Sequence, residues 1–387
     1  MAQPGGTQVE GDVRARLDAL LPLVRSWQSW TDERRRPAEP VIRGFARAGL
    51  LRLLAPRAYG GEELDPASLL ELVEAVAAVD GSAAWTIMTC NEEMGIASAY
   101  LPEGAVTELL RAAPDTVVAG SGLASGTSRP DAGGWRVDGR WRFVSGAPCA
   151  DHLILGTVVE ASRPRTLCFV LVPIEQVEVL DTWHVTGLRG TGSHDVVAQD
   201  VFVPSARAGE VTTTGATVPA TTFYRLPYGL RFPFPKVGVA CGVARAALDA
   251  FATLASEKTP VMARSSLRER AVAQAAMGEA TAALSSGRAW VREVLAELWS
   301  TAGAGHPVSD ELHARTRLAC STAVAGAVRA VDLVCSAAGS SVNFIGSPLD
   351  RCFRDVHAVP QHFMVAPYQA ATAGRVLLGL DPDDPAF

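Results

Sequence analysis

Several patterns that identify common protein classes are missing from this 387-residue chain. Its seven cysteines include no C-x-x-C pair and its histidines show no metal-ligand spacing, so we expect no bound metal and reduced thiols in a cytoplasmic protein. We find no run of about 18 apolar residues without charges, which argues against a membrane span. The first residues, MAQPGGTQVEGD, are neither basic nor apolar and predict no signal peptide. No G-x-G-x-x-G opens a helix after a strand, so no nicotinamide site is visible.

Lysine is scarce: only Lys236 and Lys258 occur, and the other basic residues are arginines. The formal net charge is −6 and the pI is near 5.7, so electrostatics give no reason to expect nucleic acid or an anionic membrane as a partner. Apolar residues make up 48% of the chain and charged residues 20%, which is ordinary globular composition rather than disorder. The length allows two or three domains, or one large enzyme unit.

The chain changes character twice along its length. Apolar residues recur at helical spacing up to Tyr100, and the stretch from Ala83 to Tyr100 has so few charges that it predicts a helix buried on most sides. Residues 117–204 form short β-branched or aromatic runs separated by Gly, Pro, Asp or Ser, which predict strands. Within them, Asp138-Gly139 predicts the turn of a hairpin. From Phe232 onward, long Ala-rich stretches predict helices again.

This order predicts an α+β protein with three parts. We expect an N-terminal helical domain over residues 1–115, a central β domain over 116–210 and a C-terminal helical bundle over 211–387.

Two distant segments carry the most specific pattern. The first, GLRGTGSHDVVAQDVFVP from Gly187 to Pro204, is a glycine-punctuated turn before an alternating strand. The second, SPLDRCFRDVHAVPQHFMVAPY from Ser347 to Tyr368, runs from an Arg-Asp pair to a proline-flanked histidine. Together they resemble the acyl-CoA dehydrogenase superfamily, and the first resembles its branch of two-component flavin-dependent monooxygenases. The resemblance covers nearly the whole chain. It implies the acyl-CoA dehydrogenase fold, with a β-barrel-like central domain, a C-terminal four-helix bundle and a homotetrameric assembly.

One position separates the chain from the dehydrogenases of that superfamily. Where the resemblance places their catalytic glutamate, the chain has Phe363, next to His362. The superfamily's other site for the base falls around Phe232, and residues 224–236 contain no Asp or Glu. Because abstraction of a proton next to a thioester requires a positioned carboxylate, the two substitutions argue against that reaction.

The resemblance places His362 beside the C4a edge of a flavin. Pro360 and Pro367 limit regular helix around it, so the direction of the imidazole is not set by the periodicity of a helix. His357 is the weaker rival for this role. The neighbouring charges Arg351, Arg354 and Asp355 are expected to brace the segment through ion pairs, and His194 in the first motif is expected to serve packing.

The stretch FVSGAPCADHLILG, from Phe143 to Gly156, resembles the strand and turn that lie against the flavin ring. The hydroxyl of Ser145 would approach N5, because a neutral acceptor can hold the N5 proton of reduced flavin without adding charge. Read alone, Ser145 would merely cap a hairpin. The stretch VVAGSGLASGTS resembles the first flavin-facing strand and loop. The residues expected to contact the cofactor are Ser121, Ser125, Ser145, Gly146, Ser340, Ser341 and Asn343.

A substrate pocket is expected beside the flavin. The residues expected to line it are Asn91, Glu92, Tyr224, Phe232, Phe234 and Phe363. For the aromatic residues, ordinary packing at a domain junction is the other explanation, and both can hold at once. Glu92 and its neighbour Glu93 could face the pocket, or one of them could pair with an arginine.

The resemblance therefore implies a monooxygenase with His362 and Ser145 as catalytic residues. It would take reduced FMN or FAD from a separate NAD(P)H-dependent flavin reductase and use O2, through a flavin C4a-hydroperoxide. Its substrate would be a small molecule, such as an aromatic natural product, a phenol or the amine of a sugar. Two alternatives stay open. One is an acyl-CoA dehydrogenase or oxidase with FAD and a relocated base, Glu92 or Glu93; the other is a scaffold without activity.

Overall fold

The structure, a computed structural model, describes residues 6–162, 165–211, 221–384 and 387. Its helices are α1 (Gly6–Arg34), α2 (Glu39–Arg47), α3 (Pro66–Ala77), α4 (Gly81–Tyr100), α5 (Glu103–Thr107), α6 (Thr222–Arg225), α7 (Tyr228–Arg231), α8 (Pro233–Glu257), α9 (Ala271–Gly303), α10 (Asp310–Ala338), α11 (Pro348–Ala358) and α12 (Gln369–Leu377). Its strands are β1 (Val118–Asp131), β2 (Gly134–Val144), β3 (His152–Val159), β4 (Leu167–Pro173), β5 (Glu178–Leu180), β6 (His194–Pro204) and β7 (Ala208–Val211).

The chain divides into two compact units. Unit 1 contains Met1–Asp65, Trp85–Val185 and Arg189–Tyr224, and unit 2 contains Pro66–Ala84, Thr186–Leu188 and Arg225–Phe387. The three-part division at residues 115 and 210 stays a prediction.

The helices of unit 1 follow from their apolar patterns. Helix α2 has Pro40 in its first turn and buries one face, formed by Val41, Ile42, Phe45 and Ala46. Burial of residues 83–100 on most sides is confirmed, because only Thr89 and Tyr100 keep partial exposure there. A helix with so little polar surface has to be enclosed by protein, and α4 thus forms part of the core.

The strands of unit 1 form a seven-stranded mixed sheet in the order β5-β6-β2-β1-β3-β4-β7. Strands β1 and β3 are parallel and the other pairs are antiparallel. The β block predicted for residues 117–204 is confirmed. Trp141 lies at the centre of the sheet's core, fully buried, and its Nε1 donates to the carbonyl of Gly156 at 2.7 Å. A buried indole needs such a partner for its polar edge.

The hairpin turn predicted at Asp138-Gly139 is wrong. Both residues lie inside β2, and the turn between β1 and β2 falls at Gly133, which has a φ of 79°. Gly139 is required for another reason. The ring of Trp141 packs so closely against Gly126 and Gly139 that a Cβ on Gly126 would lie 2.2 Å from it. The glycine signal therefore marks close approach of an aromatic ring, not a turn.

In unit 2, long small-residue helices pack closely. A Cβ on Gly242 of α8 would lie 2.3 Å from the carbonyl oxygen of Glu74 on α3, and one on Gly287 of α9 would lie 2.7 Å from Ala323 of α10. The Nε of Arg288 also donates to the carboxylate of Glu74 at 2.7 Å. The C-terminal helices predicted from Ala-rich stretches are confirmed. Their arrangement as a four-helix bundle stays a prediction.

By length and composition alone, two helices among the described residues could cross a membrane. They are Tyr228–Glu257 and Asp310–Asn343, with mean hydropathies of 1.5 and 1.6. Over half of each apolar window, 61% and 56%, is buried inside the protein, as in ordinary core helices. The two windows are therefore weak evidence for a span.

Candidate functional site

Ser145 lies where β2 ends in a tight, irregular turn within unit 1. Phe143 has a φ of 61° and Gly146 a φ of 83°, and the amide of Ser145 donates to the Phe143 carbonyl at 2.9 Å. Positive φ is unusual for an aromatic residue and marks a backbone held by its surroundings. The Ser145 side chain is buried, and its Oγ accepts the indole N–H of Trp85 at 3.2 Å.

A chain of hydroxyl groups continues from Ser145 into the protein. Its Oγ lies 2.7 Å from Oγ of Ser193, which lies 2.7 Å from Oγ1 of Thr191. A serine hydroxyl has one donor and two acceptor positions. With Trp85 donating to it, Ser145 can accept one more hydrogen bond only if its own proton goes to Ser193.

An exposed aromatic face lies two residues from Ser145. Phe143 is 57% exposed and meets the ring of Trp183 edge to face at 6.1 Å. The guanidinium of Arg142 lies 5.0 Å from the centre of the Phe143 ring. An exposed apolar ring beside a buried hydroxyl suits a flat ligand that has one polar edge, such as a flavin. The sequence did not point to Trp85, Ser193 or Trp183. The tertiary structure brings Trp85 and Ser193 to Ser145, and it brings Trp183 to Phe143.

Ser121 and Ser125 flank an irregularity in β1. The pairing of β1 with β3 shifts register between Ser121 and Gly126. Ser121 is half-buried, Ser125 is exposed, and Gly146 on the neighbouring turn is buried. A Cβ on Gly156 of β3 would lie 2.9 Å from the Leu123 carbonyl, so the bulge lies directly over that strand. Bulges of this kind often lie beside ligand sites. The cofactor contacts assigned to these residues stay predictions.

Three consecutive polar residues of α4, Asn91 to Glu93, belong to unit 1 and are buried. The Asn91 side chain donates to the carbonyls of Leu50 and Ile87, both at 2.9 Å, and accepts the amide N–H of Leu53 at 2.6 Å. These bonds tie backbone together, so the structure gives Asn91 a structural role, and its role in a pocket stays a prediction. Glu92 and Glu93 are both buried.

Glu93 lies against strand β1. A Cβ on Gly120 would come within 2.8 Å of Oε2 of Glu93, which places this carboxylate one residue from Ser121. Burial is the main cause that raises the pKa of the Cys90 thiol, and the charge of Glu93 adds to it. Cys90 is therefore an inert core residue.

His362 lies in unit 2 just after the helix α11 has ended. A 3-10 turn over Val359–Gln361, which contains Pro360, follows α11, and His362 itself is extended, with φ −77° and ψ 128°. The absence of regular helix at His362 confirms the expectation from the prolines. Its Nδ1 accepts the Met364 amide at 3.3 Å, and its ring stacks on Phe363 at 4.8 Å between centres. His362 as a whole residue is half-buried, so part of its surface reaches solvent.

The pKa of His362 is well below its ordinary value. Burial of the ring is the larger cause, and the positive charge of Lys236, in the first turn of α8, adds to it. His362 is therefore neutral at physiological pH. The rival His357 has a different environment, because it is exposed, its Nε2 lies 3.3 Å from the Asp332 carboxylate and its Nδ1 contacts the Phe353 carbonyl.

The loop that carries His362 is fixed by two side chains. The Phe363 carbonyl accepts from Nε2 of Gln369 at 2.8 Å and from the hydroxyl of Tyr368 at 3.1 Å. Gln369 is fully buried and Phe363 is half-buried. Of the charges predicted to brace the segment, Arg354 forms an ion pair with Asp350 at 3.1 Å, whereas Asp355 is buried and accepts the Leu188 amide at 2.7 Å. Both of these contacts lie within unit 2.

The aromatic residues predicted to line a pocket are mostly core. Tyr224 of unit 1 is buried and its hydroxyl donates to the Leu54 carbonyl at 3.0 Å. In unit 2, Phe232 is 2% exposed and Phe234 is fully buried. Tyr228 packs edge to face on Phe232 at 5.6 Å. Packing accounts for these four residues, and their contact with a substrate stays a prediction.

Ser340, Ser341 and Asn343 lie in a 3-10 turn after α10. Ser341 accepts from Nζ of Lys258 at 2.8 Å, and the same ammonium donates to the Ala338 carbonyl at 2.7 Å. Ser340 and Asn343 are exposed. The turn thus presents polar groups at the surface around a lysine, and its contact with a cofactor stays a prediction.

Comparison with known proteins adds the family. Residues 9–103 match the acyl-CoA dehydrogenase N-terminal domain, and residues 236–367 match the acyl-CoA dehydrogenase C-terminal domain. Indole-3-acetate monooxygenase of Pseudomonas putida is 32% identical, over 98% of this chain and 97% of that protein. HsaA of Rhodococcus jostii (strain RHA1), the oxygenase subunit of a flavin-dependent monooxygenase, is 28% identical over 92% of this chain and 95% of its own length.

A solved structure agrees over the same span. The crystal structure of 3-HSA hydroxylase from Rhodococcus sp. RHA1 matches with a TM-score of 0.87 and 27% identity, over 97% of this chain and 99% of that one. The expected fold is confirmed by these matches. The chain therefore belongs to the acyl-CoA dehydrogenase superfamily, in the branch made up of flavin-dependent monooxygenases.

Proposed function

We propose that this flavin-dependent monooxygenase is the oxygenase component of a two-component system, and that it oxygenates a small aromatic molecule. It would receive reduced FMN or FAD from a separate NAD(P)H-dependent reductase. The observation that carries the proposal is the loop at His362 and Phe363, which holds an imidazole and a phenyl ring where the resemblance to the dehydrogenases places their catalytic carboxylate. Without a carboxylate at that position, the loop lacks the base that desaturation of a thioester requires.

Ser145 would hold the flavin at its N5 edge. When bound, reduced flavin supplies the two electrons needed to activate O2. The N5–H of the reduced ring needs an acceptor, and Ser145 provides one if it donates its own proton to Ser193. The exposed ring of Phe143 would cover apolar ring surface and exclude water, which favours transfer of oxygen over loss as peroxide.

His362 would act on the reacting oxygen or on the substrate. As a neutral ring it can hold a hydrogen bond to oxygen, or exchange a proton, without placing a permanent charge in the site. Phe363, stacked on it, keeps one ring face apolar.

The substrate is proposed from the relatives and from chemistry. Indole-3-acetate is aromatic, and the aromatic residues near both candidate residues suit an aromatic ring. A phenol, a polycyclic natural product or a sugar amine are the classes to test.

We further propose a homotetramer in the cytoplasm. The fully exposed Ile345 and the largely exposed Phe344 form an apolar surface that such an assembly could cover.

The test begins with the purified protein's visible spectrum. We expect little colour as isolated, tighter binding of reduced than of oxidised flavin, and product only when reductase, NAD(P)H and O2 are present. A tightly bound yellow flavin that acyl-CoA bleaches without oxygen would instead support the dehydrogenase alternative. A protein that binds flavin in neither redox state would support the scaffold alternative.

The His362→Ala variant tests the catalytic assignment. Supplied with chemically reduced flavin and O2, it should form product at a rate that is lower by roughly 10²-fold or more, and it should release more hydrogen peroxide. His357→Ala is the matched control, because it removes an exposed imidazole from the same segment. Unchanged coupled turnover in His362→Ala would remove His362 from the mechanism.

A further inference from the structure

His194 is the first residue of β6, and its ring contacts a surface segment of unit 1 that has no regular structure. This segment, residues 181–185, follows β5 without helix or strand. The backbone N–H groups of Thr182 and Trp183 both donate to Nδ1 of His194, at 3.2 and 3.3 Å. The His194 side chain is only 11% exposed, so these two contacts are largely shielded from water.

Two further residues hold the same segment. The backbone N–H of Asp195 donates to Oγ1 of Thr182 at 2.9 Å, and Nη1 of Arg35 donates to the Trp183 carbonyl at 2.9 Å. Arg35 also donates to the Asp181 carboxylate, at 3.1 and 3.3 Å. The backbone of Trp183 is thus held at its carbonyl by a guanidinium and at its amide by an imidazole.

The Trp183 ring belongs to the exposed aromatic face beside Ser145. It meets Phe143 edge to face at 6.1 Å between ring centres, and Phe143 precedes Ser145 by two residues. The place of a ring depends on the backbone that carries it. Hydrogen bonds that fix the amide and the carbonyl of Trp183 therefore also fix the geometry of this face.

The contacts at Nδ1 require a neutral ring, because a protonated Nδ1 has no lone pair for a backbone N–H. Burial is the main cause that lowers the pKa of His194, and the charges of Arg35 and His184 add to it. The Asp181 carboxylate, 3.7 Å from Nδ1, and the Leu180 backbone oppose this shift. Since the net shift is downward from a value already below 7, the ring is neutral at physiological pH.

We infer that His194 is a positioning residue: its Nδ1 accepts the Trp183 amide, and this contact keeps the Trp183 ring against Phe143, on the face that the flavin is proposed to cover. The consequence for flavin binding rests on the proposed function, whereas the role of His194 in the segment does not. The sequence predicted packing for His194, and the hydrogen bonds give its ring a directional use in addition.

Two substitutions separate the acceptor from the bulk of the ring. His194→Asn keeps an acceptor, because Oδ1 of asparagine can take the place of Nδ1, and His194→Leu removes it at a comparable volume. The control is His357→Leu, which makes the same change at an exposed imidazole of unit 2. Circular dichroism with thermal unfolding establishes that each variant is folded. If His194→Leu does not fold, His194→Met, which lacks a strong acceptor, replaces it.

The direct readout is hydrogen exchange of the apoprotein's backbone amides, measured by mass spectrometry with fragmentation that resolves residue 183. We expect the Trp183 amide to exchange roughly five- to tenfold faster in His194→Leu, because loss of a hydrogen bond makes local opening easier. His194→Asn and His357→Leu should stay near the wild-type rate. An unchanged rate in a folded His194→Leu, or an equal rise in His194→Asn, overturns the inference. This readout needs no flavin, so its failure is separate from failure of the proposed function.

The second readout is the dissociation constant of chemically reduced flavin, titrated without oxygen. We expect severalfold weaker binding in His194→Leu and in Trp183→Ala, and no further weakening when the two are combined, because the first change acts through the second residue. His194→Asn should bind as the wild type does. Losses that add in the double variant would overturn the link from His194 to the flavin through Trp183. A wild-type protein that binds no reduced flavin would contradict the proposed function and this link, but not the exchange result.

Discussion

The hydroxyl oxygens of Ser145 and Ser193 lie 2.7 Å apart, although 48 positions separate them in the chain. Ser193 in turn lies 2.7 Å from Oγ1 of Thr191, and Ser145 accepts the indole N–H of Trp85. The direction of the proton between the two serines decides what Ser145 offers to a ligand. If the proton points to Ser193, Ser145 is an acceptor; if it comes from Ser193, Ser145 can only donate.

Ser193→Ala should therefore impair the monooxygenase, although Ser193 need not touch the flavin. Without its acceptor at Ser193, the Ser145 proton would be free to point toward the ligand, where it would oppose the N5–H of a bound reduced flavin. We expect severalfold more hydrogen peroxide per product, and a larger change in Ser145→Ala, measured with chemically reduced flavin. Ser26→Ala, at an exposed hydroxyl bonded to the Leu23 carbonyl, is the control. An unaltered peroxide ratio in Ser193→Ala would refute the proton direction.

Asp355 holds a strained backbone in unit 2. It accepts the amide N–H of Leu188, whose φ of 50° is unusual for a leucine. Asp355→Ala leaves that buried amide without its charged acceptor, so we expect the free energy of unfolding of the apoprotein to fall by about 1.5–3 kcal/mol. Urea denaturation at one fixed protein concentration measures it.

The matched control for Asp355 is Asp350→Ala. Asp350 belongs to the same helix and pairs with Arg354 across one helical turn at 3.1 Å, at a half-buried site. Such pairs contribute only about 0.5 kcal/mol. Equal losses in the two variants would show that Asp355 is one more surface charge and braces nothing.

Local patterns were sufficient to predict most of the fold. The apolar pattern changes from helical to β periodicity at residue 117 and back at Phe232, and this change can be recognised from residues that are close in sequence. The structure has its strands and its long C-terminal helices in the ranges that the pattern predicts. The Asp138-Gly139 turn was wrong because Gly139 is needed for close approach to Gly126 on β1: a Cβ on Gly139 would lie 2.6 Å from the Cα of Gly126. Such a contact has no signature in the local sequence.

The candidate site divides in the same way. His362 and Ser145 stand in motifs that the resemblance covers, so the sequence was sufficient to propose them, whereas other groups that act on them come from distant parts of the chain. Trp85 precedes Ser145 by 60 positions, and Lys236 precedes His362 by more than 100. One signal was available for Lys236. A lysine among prolines and apolar residues is notable when the chain has only two.

His313 should make stability depend on pH. Burial lowers its pKa from the ordinary 6.5 to about 4, the Arg317 charge lowers it further, and Asp384 partly opposes both. Between those two values the unfolded chain binds more protons than the folded one, so stability is complete above pH 6.5 and is lost as the pH falls toward 4. The shift corresponds to about 3 kcal/mol.

His313→Gln isolates this contribution from that of His362, whose pKa is also low. We expect the fall in unfolding free energy between pH 7 and pH 4.5 to become smaller by about 2–3 kcal/mol in the variant. His306→Gln is a control on a different histidine, outside the helices. Parallel pH profiles for wild type and His313→Gln would mean that His313 titrates normally in the folded protein.

The ion pair of Arg317 with Asp384 should be among the costliest to break in unit 2. Arg317 is 1% exposed, and Nη1 lies 3.1 Å from the Asp384 carboxylate near the end of the chain. Burial lowers the pKa of this guanidinium despite its partner, which indicates the cost of keeping it out of water. Asp384→Ala removes the carboxylate that faces this buried charge, so we expect a loss of about 3–5 kcal/mol in urea denaturation.

A second substitution distinguishes the pair from ordinary packing of the C-terminal segment. Arg317→Leu added to Asp384→Ala removes the buried charge as well, and much of the lost stability should return, because an apolar side chain suits the site as well as a paired ion does. Glu279→Ala is the control: Glu279 forms an exposed pair with Arg329 at 3.7 Å, and its loss should change stability by no more than about 0.5 kcal/mol. If Asp384→Ala costs no more than Glu279→Ala, the charge of Arg317 is satisfied by other groups, and the C-terminal segment contributes little to the fold of unit 2.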